Sequence, residues 1–442
     1  MRISLSEHFN YKKLLRFTIP TIAMMIFISI YGVVDGLFIS NFVGDVAFTS
    51  INIIFPGIMM LGSVGFMFGT GGSAIVSKTL GEGNKEKANQ YFSMLIVLEI
   101  IIGIILSIIG IIFLAPIANL LGAKDYMMQY IKPYGTALFV SLPFFMLQNT
   151  FQSFLVTAEK PKFGLFVTIC AGCTNMLFDF LFIYVFDLGV LGAGIASAAS
   201  QIIGATIPLI FFMSRNSSLL RLSKPRFEIK PIIKTCTNGS SEMVTNISLS
   251  LVNMLYNLQL LKYIGDNGVA AYGIIMYVGF IYVGIYLGYS IGVSPIIGFH
   301  YGAGNKKELK SLYSKSMTLL LIISIVLTLL AQILAGPLSN IFVGYDKDLL
   351  EITIRALRLY SLSYLICWFN IFVSAFFTSL NNGVISAIVS FLRTFVFQLI
   401  MIFVMPLLFD VDGLWLAAFA SEVIALLLSG YFIVKNKKKY GY

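Results

Sequence analysis

LLRFTIPTIAMMIFISIYGVVDGLFISNF, Leu14 to Phe42, is the stretch whose reading decides the fold. It is longer than the roughly 20 apolar residues that a bilayer-crossing helix needs. Asp35 sits inside it, flanked by Val33, Val34 and Phe38. An acid in such a run is costly to place in hydrocarbon, so it faces a polar cavity or a partner. If the helix instead stopped near Val34, Asp35 would merely touch outside water. Pro20 removes one backbone hydrogen bond from the same helix, which makes it the expected hinge.

The rest of the chain extends this reading. Of 442 residues, 58% are apolar and 11% charged, against about 25% charged in a soluble domain. The expected fold is therefore an all-α polytopic membrane protein with almost nothing left for a soluble domain. The N-terminal MRISLSEHFNYKKLLRF is polar and basic with no small-residue cleavage site beyond it, so no removable leader is expected. A net charge of +10 does not call for a nucleic-acid partner, because the placement of the cations accounts for it. Cys170 and Cys173 form a lone CxxC within an apolar run, better read as small residues packing on a neighbouring helix than as a zinc or redox pair. His8 and His300 read as loop residues with no ligand cluster around them.

Twelve apolar runs can span, near residues 14–38, 48–77, 91–113, 127–157, 163–184, 190–213, 237–262, 268–298, 313–335, 351–378, 384–406 and 413–434. With this count, 23 of the 30 Lys and Arg fall on one side and four on the other, which places both termini in the cytoplasm. The chain also repeats itself at half its length. Gly81-Glu82-Gly83-Asn84-Lys85 returns as Gly302-Ala303-Gly304-Asn305-Lys306, Pro116 and Asn119 as Pro337 and Asn340, and Gly192, Ala196 and Ser200 as Gly413, Ala417 and Ser421. Six spans per repeat give two pseudo-symmetric six-helix lobes, residues 1–213 and 237–442, joined by a basic linker, 214–236. Two parallel bundles with a site between them are a transporter architecture.

Buried charge is scarce enough to weigh residue by residue. Asp179 lies deep in the fifth span, and Asn175 precedes it by one helical turn on the same face. Asp35 and Asp179 fall at similar depth in one lobe, and Ser197 in the glycine-flanked sixth span adds a hydroxyl. Two carboxylates in one desolvated pocket cannot both stay ionised cheaply, and such a pair exchanges protons as a unit. Binding of a proton or Na⁺ relieves that strain. The second repeat has Tyr256 where the first has Asp35, and Ile400 in place of Asp179, so the cation site is expected in the N-terminal lobe alone. Arg393 with Glu422 or Glu242 reads as a structural ion pair, while Glu242 alternatively meets a cationic substrate; Glu99 has no evident partner. Met24, Phe27, Tyr31, Asn149, Gln152, Met254 and Tyr256 are placed on helices expected to line a cleft suited to bulky cations.

Taken together, the 6+6 helices, the VVDGLFISNFVG segment, the GEGNKEKAN loop with its GAGNKKELK counterpart, and N-x-x-x-D in the fifth span resemble the MATE (multidrug and toxic compound extrusion) transporters, bacterial multidrug-exporter branch, over about residues 10–440. The resemblance implies antiport of drug-like, often cationic amphipathic compounds against Na⁺ or H⁺, by rocking of two lobes in the cell membrane, and a chain that works as a monomer without other cofactors. It places the cation site on Asp35, Asn175, Asp179 and Ser197, with Ser197 where many members carry threonine. It also matches Glu242 to one half of a C-lobe acidic pair, whose other half is missing because the tenth span holds no acid. The alternatives are a lipid-linked oligosaccharide flippase, which would want Arg355, Arg358 and Arg393 in the cleft to hold pyrophosphate, an exporter of a single metabolite, or a non-transporting membrane enzyme or receptor.

Overall fold

The structure, a computed structural model, describes residues 3–344 and 346–442. Arg2, one of the cations counted above, lies outside them. Among the described residues every regular element is helical. The N-terminal lobe consists of α1 (Tyr11–Phe42), α2 (Asp45–Gly81), α3 (Lys85–Ile112), α4 (Met128–Thr157), α5 (Pro161–Asp179, continued by a π-helical turn Phe180–Val185) and α6 (Gly189–Met213). The C-terminal lobe consists of α7 (Ile229–Tyr263), α8 (Asp266–Gly302), α9 (Lys306–Val343), α10 (Lys347–Ser361 and Tyr364–Ser379, bent by 44°), α11 (residues 383–408) and α12 (residues 411–440). Non-helical backbone at Phe409 and Asp410 separates α11 from α12.

Among the described residues, eight helices are long and apolar enough to cross a bilayer, and the bent α10 makes a ninth. The break at Asp410 divides the long final helix in two. The other two, α4 and α7, fall short in hydropathy because they carry polar residues, such as Gln148, Asn149 and Gln152, or Asn238, Ser241, Glu242 and Asn246. These two helices put polar groups at the meeting of the lobes. Also, α7 begins at Ile229 rather than near residue 237, which shortens the linker to residues 214–228.

The repeat is visible in backbone detail. Asn84 and Asn305 each cap the helix that follows, accepting from the N–H three residues on. Gly83 and Gly304 both take positive φ, 82° and 67°, in the turn before those caps. The last helix of each lobe likewise starts from a positive-φ residue, Gly189 at 55° and Asp410 at 47°.

Helix α1 is shared between the lobes. Leu14 and Phe17 belong to the core of the C-terminal lobe, together with Tyr289, Val293 and Ile296 of α8. A Cβ added at Gly292 would stand 3.0 Å from Thr18 Cγ2, and one at Gly288 would stand 2.6 Å from Ile22 Cα. Ser29 Oγ donates to the carbonyl of Phe280 at 3.2 Å. Beyond this, Phe27 and Tyr31 turn to α5 of the N-terminal lobe. The helix runs unbroken through Pro20, so the expected hinge keeps helical backbone in this conformation.

The lobes join at the end that carries the termini. A Cβ at Gly71 would meet the Thr235 carbonyl oxygen at 2.1 Å, and one at Gly239 the Met67 carbonyl oxygen at 1.9 Å. Gly302 comes equally close to the Lys78 carbonyl, and Gly81 to that of Phe299. Asn381 Nδ2 donates across the seam to the Ala74 carbonyl at 3.1 Å, while its Oδ1 accepts from Asn238 Nδ2 at 2.8 Å. Toward the other end, a Cβ at Gly32 or Gly273 meets nothing within 4 Å, and Met254 is exposed.

Three expectations change. His300 lies inside α8 and is buried, not in a loop. Cys173 is exposed on α5, so it is not a packing residue, while Cys170 is half-buried. Arg355 and Arg358 lie on the exposed face of the amphipathic first part of α10, where Arg355 pairs with Asp412 at 2.5 Å.

Candidate cation site and inter-lobe seam

Glycines let three helices approach around Asp35. Gly172 on α5 faces α1; a Cβ there would lie 2.5 Å from the Phe27 ring and 3.0 Å from that of Tyr31. That close approach lays Asp35, one turn after Tyr31, beside Asp179, two turns after Gly172. On α6, Gly192 sits against the backbone of Phe182 and Gly194 against Tyr134 of α4. Ser197 is thereby brought to Asn175, whose Nδ2 donates to its Oγ at 3.4 Å. The α-helix of α5 changes to a π turn right after Asp179, a local expansion frequent at functional sites.

The carboxyl groups of Asp35 and Asp179 are close enough to share a proton. Asp179 is fully buried, Asn175 is 2% exposed, and Asp35 and Ser197 are half-buried. Asp35 Oδ1, Asn175 Oδ1 and both Asp179 oxygens are buried and receive no N–H or O–H donor. Each unsatisfied buried polar group costs about 1–3 kcal/mol. Four acceptors converging without a donor form a hard-oxygen set that attracts a positive charge. Among the described residues, no three His, Cys, Asp or Glu side chains gather in one place. The acids come as a pair, supplemented by an amide and a hydroxyl. Tyr134, which faces both acids from α4, escapes a reading of the sequence because nothing in its spacing sets it apart from core tyrosines.

Among the described residues, the other half of the molecule shows no such set of acids. Tyr256, at the position of Asp35, is 1% exposed and stacks on Tyr272 at 4.9 Å within the C-lobe core. This corrects its expected place on the cleft: the ring is instead packed inside the C-lobe core. Ile400, at the position of Asp179, is 44% exposed, since the C-lobe π turn falls earlier, at Leu392–Phe397. The C-lobe charge is self-contained. Arg393 Nε donates to both oxygens of Glu422, at 2.9 and 3.0 Å, and Asn370 Nδ2 adds a third bond at 2.7 Å. None of the three arginines that a pyrophosphate cleft needs is free in the cleft. Glu99 does have a partner: Thr150 Oγ1 lies 2.6 Å from its Oε1 and 2.8 Å from the Gly65 carbonyl.

The expected cleft residues are not gathered in one wall. Tyr31 packs on α5 within the first lobe, Asn149 folds its amide back onto the Phe145 carbonyl at 2.8 Å, and Gln152 is half-buried on α4. Glu242 does reach the seam, in a cavity of about 30 Å³ lined by hydroxyls of both lobes, among them Ser73, Ser153, Ser290 and Thr378. These hydroxyls escape a reading for charge because each is small and isolated in an apolar run. A drug-sized pocket needs about 300–1,000 Å³, so this cavity is too small for such a substrate while the seam is shut.

Comparison with known proteins follows the same division. The MatE family model matches the chain twice, over residues 20–181 and 243–404, once in each lobe. The multidrug export protein MepA of Staphylococcus saprophyticus subsp. saprophyticus is 26% identical over 365 residues, 80% of each chain. MepA of Staphylococcus aureus strain MSSA476 is 24% identical over 421 residues, 94% of this chain and 92% of the other. A solved multidrug resistance MATE family transporter in an outward-facing conformation superposes with a TM-score of 0.91 at 20% identity, covering 98% of both chains.

Proposed function

We propose, from the premise that this chain belongs to the MatE family, that it is a multidrug exporter driven by cation antiport. In this reading it exchanges drug-like, often cationic compounds for Na⁺ or H⁺ by rocking two lobes. The observation that carries the reading is the acid pair: Asp35 and Asp179 face each other with no donor between them and with Asn175 and Ser197 alongside. The bias of Lys and Arg puts the termini, and with them the shut end of the seam, in the cytoplasm. The present conformation then opens outward.

In the proposed cycle a cation enters from outside and binds between the acids. Its charge replaces the missing donors, and the membrane potential adds about 2.3 kcal/mol per 100 mV for a charge crossing the full field. Since α1 carries Asp35 at one end and packs on the other lobe at its other end, a shift of Asp35 pulls on the inter-lobe contact. Bending at Pro20 would take up that shift, the substrate would leave outward, and the seam would then open inward around Glu242. Hard oxygen ligands suit Na⁺, and a carboxyl pair suits a shared proton.

The test is ethidium efflux from vesicles under an imposed Na⁺ or pH gradient, with wild type, Asp35→Asn and Asp179→Asn. Either substitution is expected to abolish cation-driven efflux while the protein still folds. Full efflux in both variants would overturn the assignment, and a loss in Glu242→Gln alone would move the coupling to the other lobe.

A further inference from the structure

Ahead of α1, residues 3–10 cross the seam as a strap held by one carboxylate from each lobe. On the N-lobe side, Glu159 Oε1 accepts from Ser4 Oγ at 2.9 Å and from the Leu5 N–H at 2.8 Å. On the C-lobe side, Glu308 accepts from the Phe9 N–H at 2.9 Å, and its other oxygen lies 2.6 Å from His8 Nδ1. Lys315 Nζ donates to the Phe9 carbonyl at 2.5 Å. Leu5 and Phe9 are fully buried in one cluster with Val156 of α4 and Leu309 and Leu312 of α9. Within the strap itself, Glu7 pairs with Lys13, which holds the Glu7 carboxyl below its usual range.

Neither anchor is needed by the repeat. The turn position matching Glu159, directly after the helix C-cap, is Asn381, and the one matching Glu308 is Lys87. Glu159 takes φ 61° and Asn381 φ 57°, so the costly backbone belongs to the turn in both repeats, and only the carboxylate is particular to Glu159. Glu308 is the third residue of α9, where a glutamate ordinarily turns back to cap its own helix. Here its carboxylate serves the strap instead. Two specialised acids in two different lobes serve one segment that occurs once in the chain.

We propose that residues 3–10 are a releasable clasp on the seam. They keep the lobes shut at the termini end, and let go of Glu159 each time that end opens. The inference rests on the rocking motion proposed above, because separating the lobes carries Glu159 away from Glu308. Glu159 is the side that lets go: the strap stays with the C-terminal lobe through Phe9, His8 and Lys315, and α1 docks on that lobe as well.

The test uses the full chain in nanodiscs, spin-labelled at Lys85 and Lys307, both exposed at the termini-side starts of α3 and α9 in opposite lobes. The readout is the distribution of label-to-label distances in wild type, Glu159→Ala and Ser4→Ala. Loss of charge-assisted bonds to Glu159 is expected to raise the long-distance fraction about tenfold. Ser4→Ala, which keeps the Leu5 bond, is expected to raise it by a smaller factor and decides alone if Glu159→Ala does not fold. Unchanged distributions would overturn the clasp. Ethidium efflux by the same wild-type sample separates the two readings. Efflux with unresponsive labels removes the clasp alone, while responsive labels without cation-driven efflux remove the antiport reading and leave the clasp.

Discussion

Gly239→Ala isolates the closure of the seam from everything else. The added Cβ would lie 1.9 Å from the Met67 carbonyl oxygen and 2.8 Å from Met67 Cα. A carbon ordinarily keeps about 3.3 Å from a carbonyl oxygen, so α2 and α7 must part by roughly 1.4 Å. The opposing atoms are helix backbone, with no flexible side chain to swing aside. Overpacking of this kind costs about 1–3 kcal/mol, and the rigid contact argues for the upper part of that range. At 1.4 kcal/mol per factor of ten, the shut state then loses roughly 10- to 100-fold in population against states in which this end is apart. The same substitution favours helix over coil in α7 by about 1 kcal/mol, so thermal stability is not expected to fall. The assay is the rate at which an impermeant maleimide modifies Cys236, half-buried next to the contact, with the other cysteines replaced. Expected are a rate increase of about tenfold or more and a loss of efflux, at an unchanged melting temperature. Gly273→Ala, which meets nothing within 4 Å, is the control and is expected to behave as wild type. Unchanged Cys236 reactivity with full efflux in Gly239→Ala would refute the close approach of α2 and α7.

Two further outcomes follow from the fold. Asp410 holds φ 47° and ψ −131°, where its repeat counterpart is Gly189, so Asp410→Gly is expected to raise stability by about 1 kcal/mol, read as a higher melting temperature in detergent. Glu422→Leu strands the buried Arg393 guanidinium and is expected to cost about 3–5 kcal/mol, while the paired change Arg393→Met with Glu422→Leu restores most of it; equal losses in the single and the double variant would show that the pair is not the cause.

Much of the molecule is legible in the chain, for identifiable reasons. The acid pair can be found because a carboxylate in an apolar run is costly, and only a few such positions exist. The repeat can be found because loops such as Gly81–Lys85 need special backbone at fixed places. What stays hidden depends on neighbours that sequence spacing does not specify. Tyr256 reads as a cleft residue because it replaces an acid, but its ring is packed inside the C-lobe core and stacks on Tyr272. His300 reads as a loop residue because it stands beside the Gly302 turn, although α8 continues past it to Gly302. The seam hydroxyls and the strap anchors lack any periodic signal, because each acts across a long separation in the chain.

The acids and the seam are linked by α1, and that link can be argued from its packing. In the proposed cycle, a cation between Asp35 and Asp179 would strengthen the attachment of the second half of α1 to α5, inside the first lobe. The first half is meanwhile fixed to α8 by the close contacts at Gly288 and Gly292 and by the strap residues Phe9 and His8 bound to Glu308. Any movement of Asp35 toward Asp179 must therefore be absorbed along α1 or passed to the other lobe. Pro20, which leaves the Arg16 carbonyl without its helical donor, lies between Thr18 and Ile22, the residues that touch the two glycines. The weakest point of the helix thus coincides with its grip on the opposite lobe. In the proposed cycle an unbroken α1 with both ends engaged joins the cation site to the shut seam, and loss of either attachment is expected to uncouple them.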